Sequence, residues 1–288
     1  MTSEKLFKLA PAQFPLLLQE IPDPPKQLYI KGTLPPDTNT TLCVVGSRKH
    51  SPYGKQVVDT LISSLRGKPV TVISGLALGI DALAHEAALA AGLATVAVPG
   101  SGLGRKVIAP RSNLGLADRI VECGGALVSE FEPDFRSTPW AFPQRNRIMA
   151  GLSHAILIIE ARDRSGTLIT ARLAGEYNRD VLATPGSLFS DGSVGPHQLI
   201  RDGATPITSA VDLHEALALT SETVTQEPLE LSHYSGDEQI ILKVLAEPRG
   251  RDEVIRLSRL GTSKANMTIA ALEMKSVIKE ERGSLFRL

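Results

Sequence analysis

A doubly wound, mostly parallel α/β sheet followed by a small separate unit is the architecture this sequence predicts, on three observations. Short apolar runs recur at 41–45, 70–74, 94–98, 126–129 and 155–159. Such runs, with no polar alternation, mark strands covered on both faces. Helix-length segments separate the first three, as parallel crossovers require. Past residue 219 the pattern dissolves into a polar stretch and then resumes as an independent helical pattern.

Residues 1–40 carry Pro11, Pro15, Pro22, Pro24, Pro25, Pro35 and Pro36. Proline at this density prevents a long helix and predicts an extended arm packing on the core. The core domain, 41–219, opens with a strand at 41–45, and Gly46-Ser47-Arg48 makes the turn. A helix over 51–65 has Pro52 in its first turn. The strand at 70–74 leads into small residues at 75–79. A helix over 80–91 ends at Gly92, a residue suited to the left-handed C-cap. After the strand at 94–98, Gly100-Ser101-Gly102-Leu103-Gly104 opens a loop carrying Arg105, Lys106 and Arg111. The strand at 126–129 leads to a turn, Phe142-Pro143-Gln144-Arg145-Asn146-Arg147, with helical turns predicted over 146–152. The run 155–159 ends on Glu160, and Arg162-Asp163-Arg164-Ser165-Gly166-Thr167 precedes a helix over 168–177. A strand at 181–183, a Gly-rich loop with a short helix in 187–204, and a helix over 211–219 complete the domain. Loops after parallel strands converge at one sheet edge, where such folds bind ligands.

Residues 220–235 are polar and aperiodic and read as a linker. In 236–288, Ile240, Ile241, Val244 and Leu245 mark one helix and residues 252–257 a second. Thr262-Ser263 caps a third, with Ile269, Leu272 and Met274 inward, and a hairpin forms about Arg282-Gly283-Ser284. Three helices and a hairpin follow the winged-helix plan. The third helix offers only Lys264, Asn266 and Lys275, sparse for reading duplex bases and equally suited to protein contact.

Composition narrows the function. The 288 residues hold 31 Lys+Arg against 31 Asp+Glu, so no broad basic field coats a duplex and any anion site is local. Cys43 and Cys123 show no metal spacing, which fits a reduced cytoplasmic setting. The apolar run at 16–18 is too short for a signal peptide, and no stretch approaches a membrane span. The glycines at 100, 102 and 104 miss the dinucleotide fingerprint because Arg105 takes the place of the next glycine, and there is no P-loop. Neither a cofactor nor a metal is expected.

Three clusters can hold phosphate. Arg145 and Arg147 are planar donors next to a helix start, though either also suits a carboxylate such as Glu130 or Glu132. Ser165-Gly166-Thr167 joins hydroxyls to exposed N–H groups at a strand-to-helix turn. Gly46-Ser47-Arg48 joins a close-approach glycine to a charge, with a surface salt bridge as Arg48's alternative role. Phe142 can stack a base or fill the core. Asp81 and His85, four apart on one helix face, read as an acid–base or metal pair, or as a dipole-offsetting acid beside a hydrogen-bonded histidine.

Together these residues resemble the DprA/Smf family (DNA-processing protein A). The likeness runs through Phe14-Pro15, Asp23-Pro24-Pro25, Leu28-Tyr29-Ile30-Lys31-Gly32, Val45-Gly46-Ser47-Arg48, and 74–85 from Ser74-Gly75 to His85. It continues through Ser129-Glu130, Phe142-Pro143-x-Arg145-Asn146-Arg147, 165–171, Pro185-Gly186 and 199–204. The resemblance implies a Rossmann-like protein that binds single-stranded DNA, dimerises, and helps load the RecA recombinase on incoming DNA in natural transformation, with no chemical reaction established. It implies a DNA pocket lined by Ser47, Arg48 and Arg145 to Arg147. Gly46, Gly75, Phe142, Ser165, Gly166 and Thr167 complete the expected binding set. The chain departs from the family at Ala109-Pro110, where Tyr-Pro is usual, and at His197, where Asn is common. The alternative is a nucleotide-cleaving enzyme similar to the LOG phosphoribohydrolases, but Thr170 stands where their catalytic glutamate belongs.

Overall fold

The computed structural model describes residues 6–163, 165–219, 234–245, 249–275, 277–281 and 284–287. The chain divides into two compact units, Met1–Thr220 and Ser221–Leu288. Most of the linker expected at 220–235 lies outside the described residues.

In the first unit the strands are β1 (Leu6–Leu9), β2 (Leu28–Gly32), β3 (Thr40–Val45), β4 (Val70–Ser74), β5 (Ala94–Ala97), β6 (Ala126–Ser129), β7 (Ala155–Ile158), β8 (Asp180–Ala183) and β9 (Thr205–Pro206). They form one sheet in the order β1-β2-β6-β5-β4-β3-β7-β8-β9. Every pair from β6 to β9 is parallel, and β1 and β2 are antiparallel additions at one edge. The fold is thus an α/β, Rossmann-like, mostly parallel sheet.

Side-chain alternation explains the unbroken apolar runs. Cys43 and Val45 of β3 enter one core with Ile73, Val96 and Ile156, while Leu42 and Val44 enter the other with Val72 and Leu157. The first core is covered by α1 (Leu16–Gln19), α5 (Ala141–Gly151) and α6 (Gly166–Glu176), through Leu18, Ile148, Met149 and Ala171. The second lies under α2 (Pro52–Ser63), α3 (Ile80–Ala90) and α8 (Ala210–Ala216), through Ile62, Ile80, Ala84 and Leu213. Successive strands run outward from β3 in both directions, so the chain reverses its winding between β3 and β7.

Three features differ from the sequence expectation. The proline-rich segment supplies two strands of the sheet, with Phe14, Leu18 and Ile21 as buried anchors. A helix, α4 (Leu114–Glu122), fills what read as loop and buries Leu116, Ala117 and Ile120. Finally, α5 begins at Ala141, so the arginines lie within a helix and not in a turn before it. Pro143 is tolerated there because first-turn N–H groups have no intrahelical partner. The remaining helix of the unit, α7, spans Val194–Arg201.

The second unit comprises α9 (Gly236–Val244), β10 (Arg249–Gly250), α10 (Arg251–Ser258), α11 (Thr262–Met274), β11 (Ile278–Glu281) and β12 (Ser284–Arg287). Its strands pair antiparallel in the order β10-β12-β11. Ser235 caps α9 reciprocally with Glu238. Ile241, Leu242, Val254, Ile269, Leu272 and Leu285 form its core. Met274, expected inward, is 89% exposed, because two residues beyond Leu272 is a half-turn around the helix. Among the described residues no helix is long and apolar enough to cross a membrane.

Candidate nucleic-acid interface

A crevice of about 280 Å³ opens beyond the carboxyl ends of β3 and β7, where the winding reverses. The turn after β3 contributes Gly46, Ser47 and Arg48. The segment after β7 contributes Ala161, Arg162 and Ser165, and the first turn of α6 adds Gly166 and Thr167. Phe142, Arg145 and Asn146 come from α5, Ala77 from the β4–α3 connection, and Asp81 from the first turn of α3.

The walls are tied together by hydrogen bonds. Ile80 N–H donates to Ser47 O at 3.1 Å. Gly79 adopts φ +78°, and a Cβ there would lie 2.2 Å from that same oxygen, so only glycine lets α3 start so close to the β3 turn. Thr167 Oγ1 donates to Gly46 O at 3.3 Å, and Asn146 Nδ2 to Gly166 O at 3.3 Å. The α6 N-terminus is thereby held facing the β3 turn, its first N–H groups and dipole favouring an anion. Among the described residues the Ser165 hydroxyl, buried at this cap, has no hydrogen-bond partner. Ser47 turns its hydroxyl into its own loop, donating to Lys49 O at 2.8 Å.

Arg48 is exposed and pairs with no carboxylate among the described residues. Its guanidinium carbon sits 5.0 Å from the centroid of the Phe142 ring, a cation–π contact that holds the charge at the mouth of the crevice. Arg145 behaves differently. It is 4% exposed, donates from Nη1 to Val98 O, and packs against Met149 Sδ. A Cβ on Gly75 would fall 1.8 Å from Arg145 Nη1, so that glycine makes room for the buried guanidinium. Asp81 lies in the crevice floor; burial raises its carboxyl pKa, and Arg145 opposes the rise.

Arg147 does not join the crevice. Two residues from Arg145 on one helix, it points to the opposite side. There Nη2 donates to Glu130 Oε2 at 2.5 Å and Nη1 to Asp23 O at 2.9 Å. Glu132, the other carboxylate considered, accepts instead from Tyr29 Oη at 2.6 Å and Gln27 Nε2 at 3.0 Å. Gly75 borders a smaller adjoining cavity with Arg48 and Phe142. The structure therefore gathers Gly46, Ser47, Arg48, Phe142, Arg145, Asn146, Ser165, Gly166 and Thr167 around one crevice, with Gly75 beside it and Arg147 outside.

Asp81 and His85 do not act as a pair. Thr95 Oγ1 donates to Val72 O at 2.8 Å, so His85 Nδ1 donates to Thr95 Oγ1 at 2.7 Å. Burial pushes the His85 pKa down to about 3, leaving a neutral ring. Glu160 is also committed, accepting from Ser51 N at 2.9 Å and Ser51 Oγ at 2.5 Å, which fixes the start of α2. No metal-binding group of His, Cys, Asp and Glu occurs among the described residues. The sequence reading missed Arg162 and the floor position of Asp81; only the convergence of loops at one edge signals them.

Residues 5–218 match the profile of the family described as DNA recombination-mediator protein A. The chain belongs to this family. It is 43% identical over 226 residues to protein Smf of Escherichia coli (strain K12), covering 78% of this chain and 60% of that protein's length. It is 41% identical over 206 residues to DNA processing protein DprA of Bacillus subtilis (strain 168), covering 71% and 68%. The solved DprA from Streptococcus pneumoniae superposes with a TM-score of 0.69 at 40% identity, covering 74% of each chain. DNA processing protein A from Helicobacter pylori, described for its single-stranded DNA binding mode, gives 0.67 at 30% identity, covering 75% of this chain and 96% of that one.

Proposed function

We propose that this protein binds single-stranded DNA in the crevice between β3 and β7 and acts as a recombination mediator, helping to load RecA on incoming DNA in natural transformation. The observation that carries the reading is Arg48: a guanidinium in no salt bridge among the described residues, over the Phe142 ring and facing a helix N-terminus across a crevice of nucleotide dimensions. Membership of the mediator family and the single-stranded DNA binding described for the Helicobacter pylori relative support the ligand.

Arg48 neutralises a phosphate while α6 N–H groups and the Ser165 hydroxyl hold its oxygens, leaving base edges unread. Buried Arg145 sets the positive floor against Asp81. The protein works as a homodimer in the cytoplasm and performs no catalysis. The second unit is a winged helix used for protein contact, since the Met267 and Met274 side chains of α11 are exposed and apolar. The nucleotide-cleaving alternative gains no support: Thr170 is buried in place of the glutamate, and Glu160 is held by Ser51.

The test is fluorescence anisotropy of a labelled oligonucleotide, single-stranded against duplex, over a salt series. Single-strand preference with a steep salt slope is expected. Equal affinity for both, or none for either, refutes the reading.

A further inference from the structure

A carboxylate in the floor of a phosphate crevice works against its ligand, yet Asp81 stands there. Among the described residues lining the crevice, four carry charge: Arg48, Asp81, Arg145 and Arg162. Asp81 and Arg145 are both buried. An arginine keeps its proton in a protein, so a buried guanidinium requires an opposite charge nearby. Asp81 supplies it: burial pushes the Arg145 pKa down, and the Asp81 charge pushes it back up. The carboxylate is steadied by the segment before α3, accepting from Ala77 N at 3.4 Å. Arg162 has its own counter-ion, Asp191, at 4.0 Å. That leaves Arg48, in no salt bridge among the described residues. The charges on these walls therefore balance except for one guanidinium, which acts with the partial charge of the α6 N-terminus.

We propose that Asp81 sets the charge this crevice accepts, so that a phosphodiester with its single negative charge fits and the doubly charged phosphate of a free nucleotide is turned away. The inference rests on the single-strand-binding reading and adds the residue that separates polymer from monomer. Base, sugar and phosphorus are common to both ligands, so contacts to those parts do not discriminate. Charge does. At pH 8 a phosphate monoester is close to a dianion, since its second pKa lies near 6. The extra charge meets no unbalanced cation among the described lining residues, and it faces the Asp81 carboxylate within the same walls. Screening by salt is weaker there than at an open surface. Building a repulsive element against the wrong ligand is a general route to specificity. Asp81 would thus act through its field, without touching the phosphate.

The experiment uses the full chain at pH 8 and constant ionic strength. A labelled oligothymidylate is displaced by thymidine 5′-monophosphate or by thymidine 5′-(methyl phosphate), its singly charged methyl ester, with anisotropy as the readout. The methyl ester is expected to compete at about tenfold lower concentration, the scale of one like-charge pair in a partly screened site. Asp81→Asn keeps an oxygen for Ala77 N–H and removes the charge. It is expected to erase that preference and to tighten oligothymidylate binding at low salt. A purely structural role would shift both competitors together and leave their ratio unchanged. Wild-type protein that takes the monophosphate as well as the methyl ester, or better, overturns the proposal, and this arm needs no variant to fold. An unchanged ratio in Asp81→Asn also overturns it. Where neither mononucleotide displaces the strand, Asp81→Asn binding no tighter than wild type overturns it. Flat anisotropy with wild-type protein and no competitor removes the single-strand reading itself.

Discussion

Replacing Arg48 by alanine separates the residue that faces the ligand from the one that holds the fold, with Arg147→Ala as its counterpart. Arg48 is exposed without a carboxylate partner among the described residues, so its loss leaves stability within about 0.5 kcal/mol. On a phosphate the guanidinium supplies a charge-assisted hydrogen bond of roughly 1.5–3 kcal/mol. Affinity for single-stranded DNA should therefore fall about 10- to 100-fold. One phosphate contact fewer should also flatten the plot of log K against log salt by about 0.7. Arg147 makes the opposite prediction. Its side chain and that of Glu130 are 12% and 9% exposed, so truncation strands a largely buried carboxylate. The loss is roughly 1.5–3 kcal/mol of stability, a melting shift of several degrees, with the salt slope unchanged. Anisotropy titrations at four or more salt concentrations, paired with thermal melts, decide it. An unchanged slope for Arg48→Ala, or one flattened as much by Arg147→Ala, would refute the assignment.

Three further outcomes follow from the geometry. Gly75→Ala drives a Cβ into the Arg145 guanidinium and should destabilise by about 1–3 kcal/mol, seen as a lower urea midpoint at constant m; wild-type stability would mean Arg145 is not seated there. Ser51→Ala removes both the cap that accepts from Gly54 N and the hydroxyl on Glu160, with an expected loss of about 1–2 kcal/mol by chemical denaturation. His85 stays neutral in the fold with its pKa pushed from 6.5 to about 3, so the unfolded chain binds its proton first. Its contribution is full above pH 6.5 and declines as pH falls from 6.5 toward 3. Against His85→Leu, whose other groups titrate alike, the wild type should lose stability selectively below pH 6.5; parallel pH profiles would contradict it.

The parallel sheet was legible because residues such as Leu42, Cys43, Val44 and Val45 are apolar on both faces, which few other settings require. The carboxyl-edge crevice followed from that topology. The antiparallel edge was not legible: β2 pairs with β6 about a hundred residues away, and nothing local in Leu28-Tyr29-Ile30 names that partner. The segment 114–122 is hard to read as a helix because the Gly-rich start of its loop and Pro110 obscure its two and a half turns. Arg145 and Arg147 look alike in the sequence because a turn has no phase. Once α5 starts at Ala141, a spacing of two sends one arginine under Gly75 and the other to Glu130.

The pairing of β2 with β6 also imposes a timetable on synthesis. Tyr29 meets Ser129 and Gly32 meets Ala126, so β2 leaves the ribosome long before its partner exists. At ~5–20 residues per second, that interval is roughly 5–20 s. During it, Leu28, Tyr29 and Ile30, all buried in the finished sheet, belong to a nascent chain among neighbours of its own kind. The strand is bracketed by Pro24 and Pro25 on one side and Pro35 and Pro36 on the other, with Lys26 and Lys31 between them. Prolines and lysines at strand ends are the residues that stop an orphan strand from recruiting a stranger. The prolines that disguised this segment as an extended arm thus flank the edge of β2 that stays open, with β1 on its other side, until β6 arrives.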